Sequence, residues 1–432
     1  MINRTIEPEV DFSLINDFLS DKIIEHEYKT INGIPCYFLD RGEQDLVKIE
    51  LTFDAGSIYQ KKPFVAYSTF QMLTEVTCTM TSSQISERLD FYGAFIEKEV
   101  DRDFASVSLY TLTKHLKYTL LILNEILTKP IFPESDLSIY KEKQKSILEV
   151  NKKQVSFLAR TNFLEIIFGK QHPYGVKIDS EDIDKLSSED LTRFYTDNIN
   201  ADNCSIIVSG KINNEVIKLI EENFQTSEWR KSNRTLQKKV IEIDLQSKFS
   251  EHFIEQPNVV QSAIRIGRVL FNYNNPDYNK FQILNTVLGG YFGSRLMKNI
   301  REDKGFTYGI GSAILPLKHS GYFFITTEVG KEYTNDTINE IYREIENLQS
   351  NYIKDDELNL VKNYKFGELM RSLDGTFAIS DYLKKTIQHK LPINYYKNVL
   401  DDIYNTSKED ILLLAQKYLK KELLTQLVVG QN

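Results

Sequence analysis

Two stretches of this 432-residue chain set polar side chains at spacings that chemistry could use. In FVAYSTFQMLTEVT, residues 64–77, Tyr67 and Gln71 lie four apart, so on a helix they share one face. Val65, Phe70, Met72 and Leu73 form an apolar side to that helix, and no Gly or Pro interrupts it. The second stretch is LGGYFGSRLMKNIREDKGFTYGIGSA, from Leu288 to Ala313. Arg301 stands near a helix end there, and Tyr308 lies just past the following turn. Both are donors and one is charged, so together they suit a carbonyl oxygen or an oxyanion. The unreactive arrangement of the same residues is Arg301 paired with Glu302 or Asp303 and Tyr308 packed in a sheet. There is no HExxH, HxxEH, GxSxG, P-loop or helix-opening GxGxxG. The six histidines (26, 115, 172, 252, 319 and 389) never stand at helical ligand spacing, and His172 falls in HPYG, a turn-like sequence.

Strands and helices must position these side chains. VKIELTF, residues 47–53, alternates strictly, which predicts a half-buried strand with Val47, Ile49, Leu51 and Phe53 inward and Lys48, Glu50 and Thr52 outward. SSQISERLDFYGA reads as a helix stopped at Gly93, FASVSLYTL as a strand, and KHLKYTLLILNEILTKP as a helix ending before Pro130. One or two further helices cover residues 134–168, and CSIIVSG, residues 204–210, is a strand closing the half. The plan then repeats. SAIRIGRVLF is a strand, NKFQILNTVLGGYFGSRLMKNIRED a long helix, and GYFFITTEVG a strand; helices follow to about residue 420, and LLTQLVVG is a last strand. Gly289, Gly290 and Gly293 sit inside that long helical pattern, each at a cost of up to about 1 kcal/mol relative to Ala, which close backbone approach would justify. Gly305 ends the helix, and Phe306 and Tyr308 begin an extended strand.

The two halves can be overlaid without a gap. Asp182-Ile183 matches Asp402-Ile403, Ser187 matches Ser407, Glu189-Asp190-Leu191 matches Glu409-Asp410-Ile411, and Val208 and Gly210 match Val428 and Gly430, each pair 220 positions apart. We read this as an internal duplication. The expected fold is α+β, with two halves that each hold an antiparallel sheet covered by helices. The first half spans residues 1–225, a polar linker 226–248, and the second half 249–432.

Composition bounds the partners. Hydrophobic residues at 41% and charged residues at 26% fit a soluble globular chain long enough for two domains. A formal charge of −8 and a pI near 5.5 argue against nucleic acid and anionic membrane. Cys36, Cys78 and Cys204 are too few and too scattered for a disulfide framework or a metal knuckle, and are expected to be buried or half-buried thiols. The N-terminal MINRTIEPEVDFSLINDFLSD carries acids where a signal peptide needs an apolar core, and no apolar run reaches membrane-span length. The expected location is the cytoplasm, or the periplasm if a signal segment has been removed.

The segment Leu288–Ala313 resembles the C-terminal-half signature of the M16 metallopeptidases, the clan of pitrilysin, insulin-degrading enzyme and mitochondrial processing peptidase. The elements that carry the resemblance are Ser294-Arg295-Leu296, Ile300-Arg301-Glu302, Lys304-Gly305 and Phe306-Thr307-Tyr308 after a Gly-rich helix. HPYG at 172–175, the LSSEDL-x-x-FY stretch after it, the duplicated layout and the length extend the resemblance over nearly the whole chain from about residue 30. It implies the M16/LuxS-like metallohydrolase fold, with the two halves forming one bowl of a clamshell.

Active members of that family carry HxxEH on the opening helix, with two zinc ligands and a general base. Register with Ser83–Ala94 puts that motif on Tyr67-Ser68-Thr69-Phe70-Gln71. Tyr67 and Gln71 then replace both ligands and Phe70 the base, while Glu149 is the plausible occupant of the third ligand position. The resemblance therefore implies no metal in this chain and no peptidase activity from it alone. It implies instead a subunit whose Arg301 and Tyr308 bind substrate or oxyanion in the site of an HxxEH-bearing partner, which holds the zinc. The expected assembly is a heterodimer acting on peptides. A scaffold subunit, like the core subunits of the bc1 complex, and a homodimeric peptide-binding chamber are the other readings.

Overall fold

The computed structural model describes residues 25–226, 229 and 249–431. Residues 1–24 and nearly all of the expected linker 226–248 lie outside the described residues. Two sheets run through the molecule. The first has six strands in the order β1-β2-β6-β3-β5-β4: β1 (Glu27–Ile31), β2 (Ile34–Asp40), β3 (Leu46–Phe53), β4 (Phe95–Val100), β5 (Ala105–Leu112) and β6 (Cys204–Gly210). The second has five in the order β7-β11-β8-β10-β9: β7 (Ser250–Glu255), β8 (Gln261–Leu270), β9 (Ile310–Pro316), β10 (Gly321–Gly330) and β11 (Thr425–Gly430). Each sheet is antiparallel except for one parallel pair, β2 with β6 and β7 with β11, so both are mixed. The parallel pair joins strands from opposite ends of each half, with the covering helices as the crossover.

In the first half the helices are α1 (Val65–Met72), α2 (Ser82–Phe91), α3 (Leu116–Thr128), α4 (Glu134–Asn151), α5 (Val155–Phe168), α6 (Ser180–Asp184), α7 (Ser188–Asn198) and α8 (Asn214–Phe224). The second half supplies α9 (Tyr278–Asn285), α10 (Thr334–Ser350), α11 (Asp355–Ser372), α12 (Thr376–His389), α13 (Tyr395–Asn405) and α14 (Lys408–Tyr418). The matched sequence positions fall on equivalent elements. Ser187 caps α7 and Ser407 caps α14, each accepting from the N–H of an Asp three residues on (Asp190 and Asp410) whose carboxylate reaches back, a capping box at both places. Gly93 ends α2 with φ +62°, as a left-handed C-terminal glycine should.

The halves exchange helices. α5 belongs to the first half but packs on β8 and β11 of the second sheet. There Val155, Ala159, Phe163 and Leu164 share a buried cluster with Ala263, Leu427 and Val429. α12 belongs to the second half and lies on the first sheet, where Ile379 and Leu383 share a cluster with Leu39 and Ile207. This exchange overturns the expected wet face of β3. Lys48, Glu50 and Thr52 are 3%, 1% and 4% exposed, because α12 covers them. Lys48 Nζ is 2.9 Å from Asp381, Lys384 Nζ donates to Glu50 at 2.8 Å, and Gln388 Nε2 donates to Thr52 at 2.9 Å. Alternation in β3 marks two buried faces, one apolar and one ion-paired.

Three local expectations also change. The long helix predicted from Asn279 to Asp303 is broken. α9 gives way to wide π turns over Thr286–Gly290, the backbone becomes extended at Tyr291, and a second wide-turn segment runs over Met297–Asp303. Gly289 explains the first part, since a Cβ there would stand 2.8 Å from the backbone nitrogen of Ser312 in β9. Phe306 and Tyr308 lie in a loop, and the strand begins at Ile310. Cys36 and Cys204 are buried but Cys78 is exposed, on the loop held by its N–H to the carbonyl of Lys129.

Candidate functional site

The opening helix α1 follows Phe64, whose φ of +70° is rare for a bulky residue. That kink stacks the Phe64 ring on Tyr67 at 5.3 Å and on Tyr140 of α4 at 6.4 Å. Tyr140 donates its hydroxyl to Ser68 Oγ at 3.2 Å, which ties α4 to α1. Phe70 points the other way, fully buried against Phe53 of β3 at 6.1 Å between centroids. At the C-terminal end, Lys98 of β4 donates to the Gln71 carbonyl at 2.7 Å and to Thr74 Oγ at 2.6 Å. Burial brings the Lys98 pKa down to about 8, against the raising influence of Glu75. Glu149 has a side chain 60% exposed, accepts from Ser180 at 3.0 Å and lies 3.5 Å from Lys152.

This donor set does not fit zinc. A phenol and a carboxamide stand at the helix positions four apart, no imidazole joins them, and the position between them is a core phenylalanine. Glu149 is engaged with the N-terminal end of α6 rather than with Tyr67 or Gln71. Among the described residues no three His, Cys, Asp or Glu side chains are grouped as a metal site. In chemical terms α1 is a packed helix with an aromatic stack on its outer side.

The other pair is brought together, in an unexpected way. The wide-turn helix Met297–Asp303 is fastened from below. Arg295 forks onto Glu357 of α11 at 2.8 and 2.9 Å, and Asn299 donates to Glu340 and Glu344 of α10 at 2.9 and 2.7 Å. Gly305, with φ +67°, turns the chain out of the helix, and the N–H of Phe306 returns to the Ile300 carbonyl at 3.1 Å. Thr307 then pins the loop. Its Oγ lies 2.7 Å from the Glu328 carbonyl of β10 and accepts from the Gly309 N–H at 3.1 Å, while Thr327 Oγ donates to the Gly309 carbonyl at 2.9 Å. Phe306 stacks on Tyr333 at 4.8 Å.

On this platform Arg301 Nε donates to the backbone carbonyl of Tyr308 at 2.9 Å. The Arg301 guanidinium lies 4.7 Å over the ring of Phe292, a cation–π contact. Its nearest carboxylate is Glu302, at 4.0 Å from Nη1, so the pairing with an adjacent acid is marginal. Tyr308 is 95% exposed, and no described residue bonds its hydroxyl. Two donors, the Nη groups of Arg301 at the end of the wide-turn segment and the phenol of Tyr308 on the loop that follows, are therefore presented from elements joined by the Arg301–Tyr308 hydrogen bond. Phe292, 64% exposed, is a member of this site that the sequence reading passed over. Its signal was an aromatic pair inside a Gly-rich helix break, GGYFGS.

Comparison with known proteins agrees with this layout. Residues 39–175 match the family model described as insulinase (peptidase family M16), and residues 185–365 match the one described as peptidase M16 inactive domain. A probable inactive metalloprotease of Bacillus subtilis, YmfF, is 24% identical over 257 residues, covering 57% of each chain. An uncharacterized zinc protease of the same organism, YmxG, is 22% identical over 88% of this chain and 90% of its own. Among solved structures, a peptidase M16 inactive domain from Pseudomonas fluorescens superposes with a TM-score of 0.86 at 23% identity, over 94% of this chain and 98% of its own.

Proposed function

Because this chain belongs to the M16 peptidase family as an inactive homologue, we propose that it is the non-catalytic subunit of a heterodimeric M16-type zinc peptidase. The partner would be an HxxEH-bearing homologue supplying the metal, the attacking water and the general base. This chain would form the facing bowl and would act on peptides small or unfolded enough to enter. One observation carries the reading: the Tyr308 hydroxyl is held out from a pinned loop, 95% exposed, on a residue whose carbonyl is held by Arg301, a guanidinium with its one ion-pair contact, Glu302, at 4.0 Å. A hydrogen-bonding group fixed in place but directed away from its own chain is what a shared site requires.

The roles follow from the chemistry of the two side chains. Tyr308 donates to the scissile carbonyl oxygen as it gains charge, and Arg301 supplies positive charge to the same oxygen while bracing the Tyr308 backbone. Removing one such donor raises the barrier by about 2.7–4 kcal/mol. The decisive experiment mixes the purified chain with an HxxEH homologue from the same organism. Cleavage of an unfolded peptide by the mixture, absent from this chain alone and sharply reduced by Tyr308→Phe, is the expected result. Failure to form a complex, or wild-type turnover with both Tyr308→Phe and Arg301→Ala, would remove the proposal.

A further inference from the structure

Among the described residues the Arg301 side chain has three hydrogen-bonding, ionic or ring partners, and each restrains it differently. Its Nε donates to the Tyr308 carbonyl at 2.9 Å, Glu302 stands 4.0 Å from Nη1, and the guanidinium lies 4.7 Å over the ring of Phe292. A single hydrogen bond fixes one edge of a planar group and leaves the plane able to swing about that bond. The Glu302 contact is at the limit of an ion pair and adds little near solvent. The ring restrains the swing. A guanidinium is planar and weakly hydrated, so an aromatic face holds it both by charge and by stacking.

Phe292 is not placed by burial, since it is 64% exposed. Its backbone places it. The helical path stops at Tyr291, where φ −151° and ψ 172° are extended. The Tyr291 ring rests on Tyr364 of α11 at 4.9 Å, and its carbonyl accepts the Ser294 N–H at 3.1 Å. A Cβ at Gly293 would stand 2.8 Å from the Tyr291 ring, so any side chain there would push that ring off Tyr364. Two residues on, Arg295 forks onto Glu357 of the same helix α11. Both flanks of Phe292 are therefore fastened to α11, while its own ring is left outside for Arg301. An exposed phenylalanine is ordinary on its own. This one is presented by a wide-turn break, a feature frequent at functional sites, and carries a cation on its face.

We propose that Phe292 is the positioning residue of Arg301: its ring holds the guanidinium in the attitude that presents the Nη groups to the scissile carbonyl oxygen. The catalytic part of this rests on the reading of Arg301 and Tyr308 as donors to a peptide at the partner's metal. Phe292 touches no reacting atom and acts through Arg301. The aromatic face is the property required. Tyrosine can therefore replace phenylalanine at this position, whereas leucine, apolar but without a π face, cannot.

Two measurements test it, the first on the full chain alone. With arginine isotopically labelled at nitrogen, the Arg301 Nε–H resonance, assigned with Arg301→Lys, should be shifted by the ring and protected by its bond to Tyr308. Phe292→Leu should remove the ring shift and speed exchange of that proton at least about threefold, while Phe292→Tyr keeps both. The second measurement uses the pair formed with the HxxEH homologue. There Phe292→Leu should lower kcat roughly tenfold with KM unchanged, and Phe292→Tyr should restore it. Both variants alter an exposed side chain, so the Tm should stay at the wild-type value. An Arg301 resonance unmoved by Phe292→Leu overturns the proposal, whatever the pair does. A resonance that moves as expected, with no cleavage by the wild-type pair, supports the hold of Phe292 on Arg301 and overturns the shared-site reading instead. If the pair cleaves but Phe292→Leu keeps the wild-type kcat, raises KM alone, or is matched in its loss by Phe292→Tyr, the ring does not position Arg301 and the proposal is overturned.

Discussion

Arg301 reaches Tyr308 through the backbone, not through the ring: Nε donates to the Tyr308 carbonyl at 2.9 Å and leaves the phenol 95% exposed. The two side chains therefore fail in different ways. Tyr308→Phe removes a donor and nothing the fold uses, so the urea midpoint should stay at the wild-type value. Turnover of the reconstituted pair should fall about 10²–10³-fold. Arg301→Lys keeps the charge but loses the Nε donor, so it should lower turnover and also increase amide exchange over residues 305–309. A normal exchange rate in that loop would contradict the bracing role.

Restoring the lost motif should not restore an enzyme. Phe70 is fully buried against Phe53, so Phe70→Glu places an unpaired carboxylate in the core and should cost at least about 3 kcal/mol. Chemical denaturation measures this directly. Tyr67→His with Gln71→His changes partly exposed positions and should fold, yet a peptide assay with added zinc should find no cleavage, because the general base is still missing. Cleavage by the double variant would show that α1 sits closer to a working geometry than its packing indicates.

Sequence patterns disclosed what is local. The matched pairs Ser187/Ser407 and Asp190/Asp410 revealed the duplication, and they prove to be two capping boxes, a feature decided within four residues. Arg301 and Tyr308 were legible for a similar reason: a seven-residue turn brings them together. Lys48, Glu50 and Thr52 were misread because the helix that buries them begins at Thr376, and strand alternation carries no word of so distant a cover. The break at Tyr291 escaped because a wide turn differs from an α turn by one residue of hydrogen bonding, and only the Ser312 backbone pressing on Gly289 reveals it. Glu149 was placed only through the family register; Lys152, three residues on at the end of α4, is a local neighbour, but Ser180 is brought to it by the approach of α6.

The ion network beneath α12 should set the acid stability of the chain. Burial raises the pKa of Glu50, but Lys48 and Lys384 outweigh it and hold the carboxyl below its ordinary value. A depressed folded-state pKa means that the stabilisation is present above the unfolded value and is lost as pH falls through the folded one. Denaturation midpoints should therefore drop below about pH 4.5, the ordinary range of a glutamate. Glu50→Gln should flatten that acid limb while costing about 3–5 kcal/mol at neutral pH, because Lys48 and Lys384 are left without their shared partner. An unchanged acid limb in this variant would assign the pH dependence to other carboxylates.

The exchanged helices make a prediction about where damage travels. Phe163 lies in the first half's sequence, yet it is fully buried in a cluster with Ala263, Leu427 and Val429 of the second sheet. Phe163→Ala should cost about 3–5 kcal/mol. The loss should be felt across the molecule: hydrogen exchange should accelerate in β8 and β11 before it does in β3 or β5, the strands nearer in sequence. The reciprocal variant Leu383→Ala, on the α12 side that shares a cluster with Leu39 and Ile207, should loosen β2 and β6 first. If each variant instead loosened the sheet of its own half, the helices would be contributing to local packing only, and the halves would be able to fold separately. Exchange measured strand by strand separates these outcomes, because a buried contact protects the backbone it covers, whatever its position along the chain.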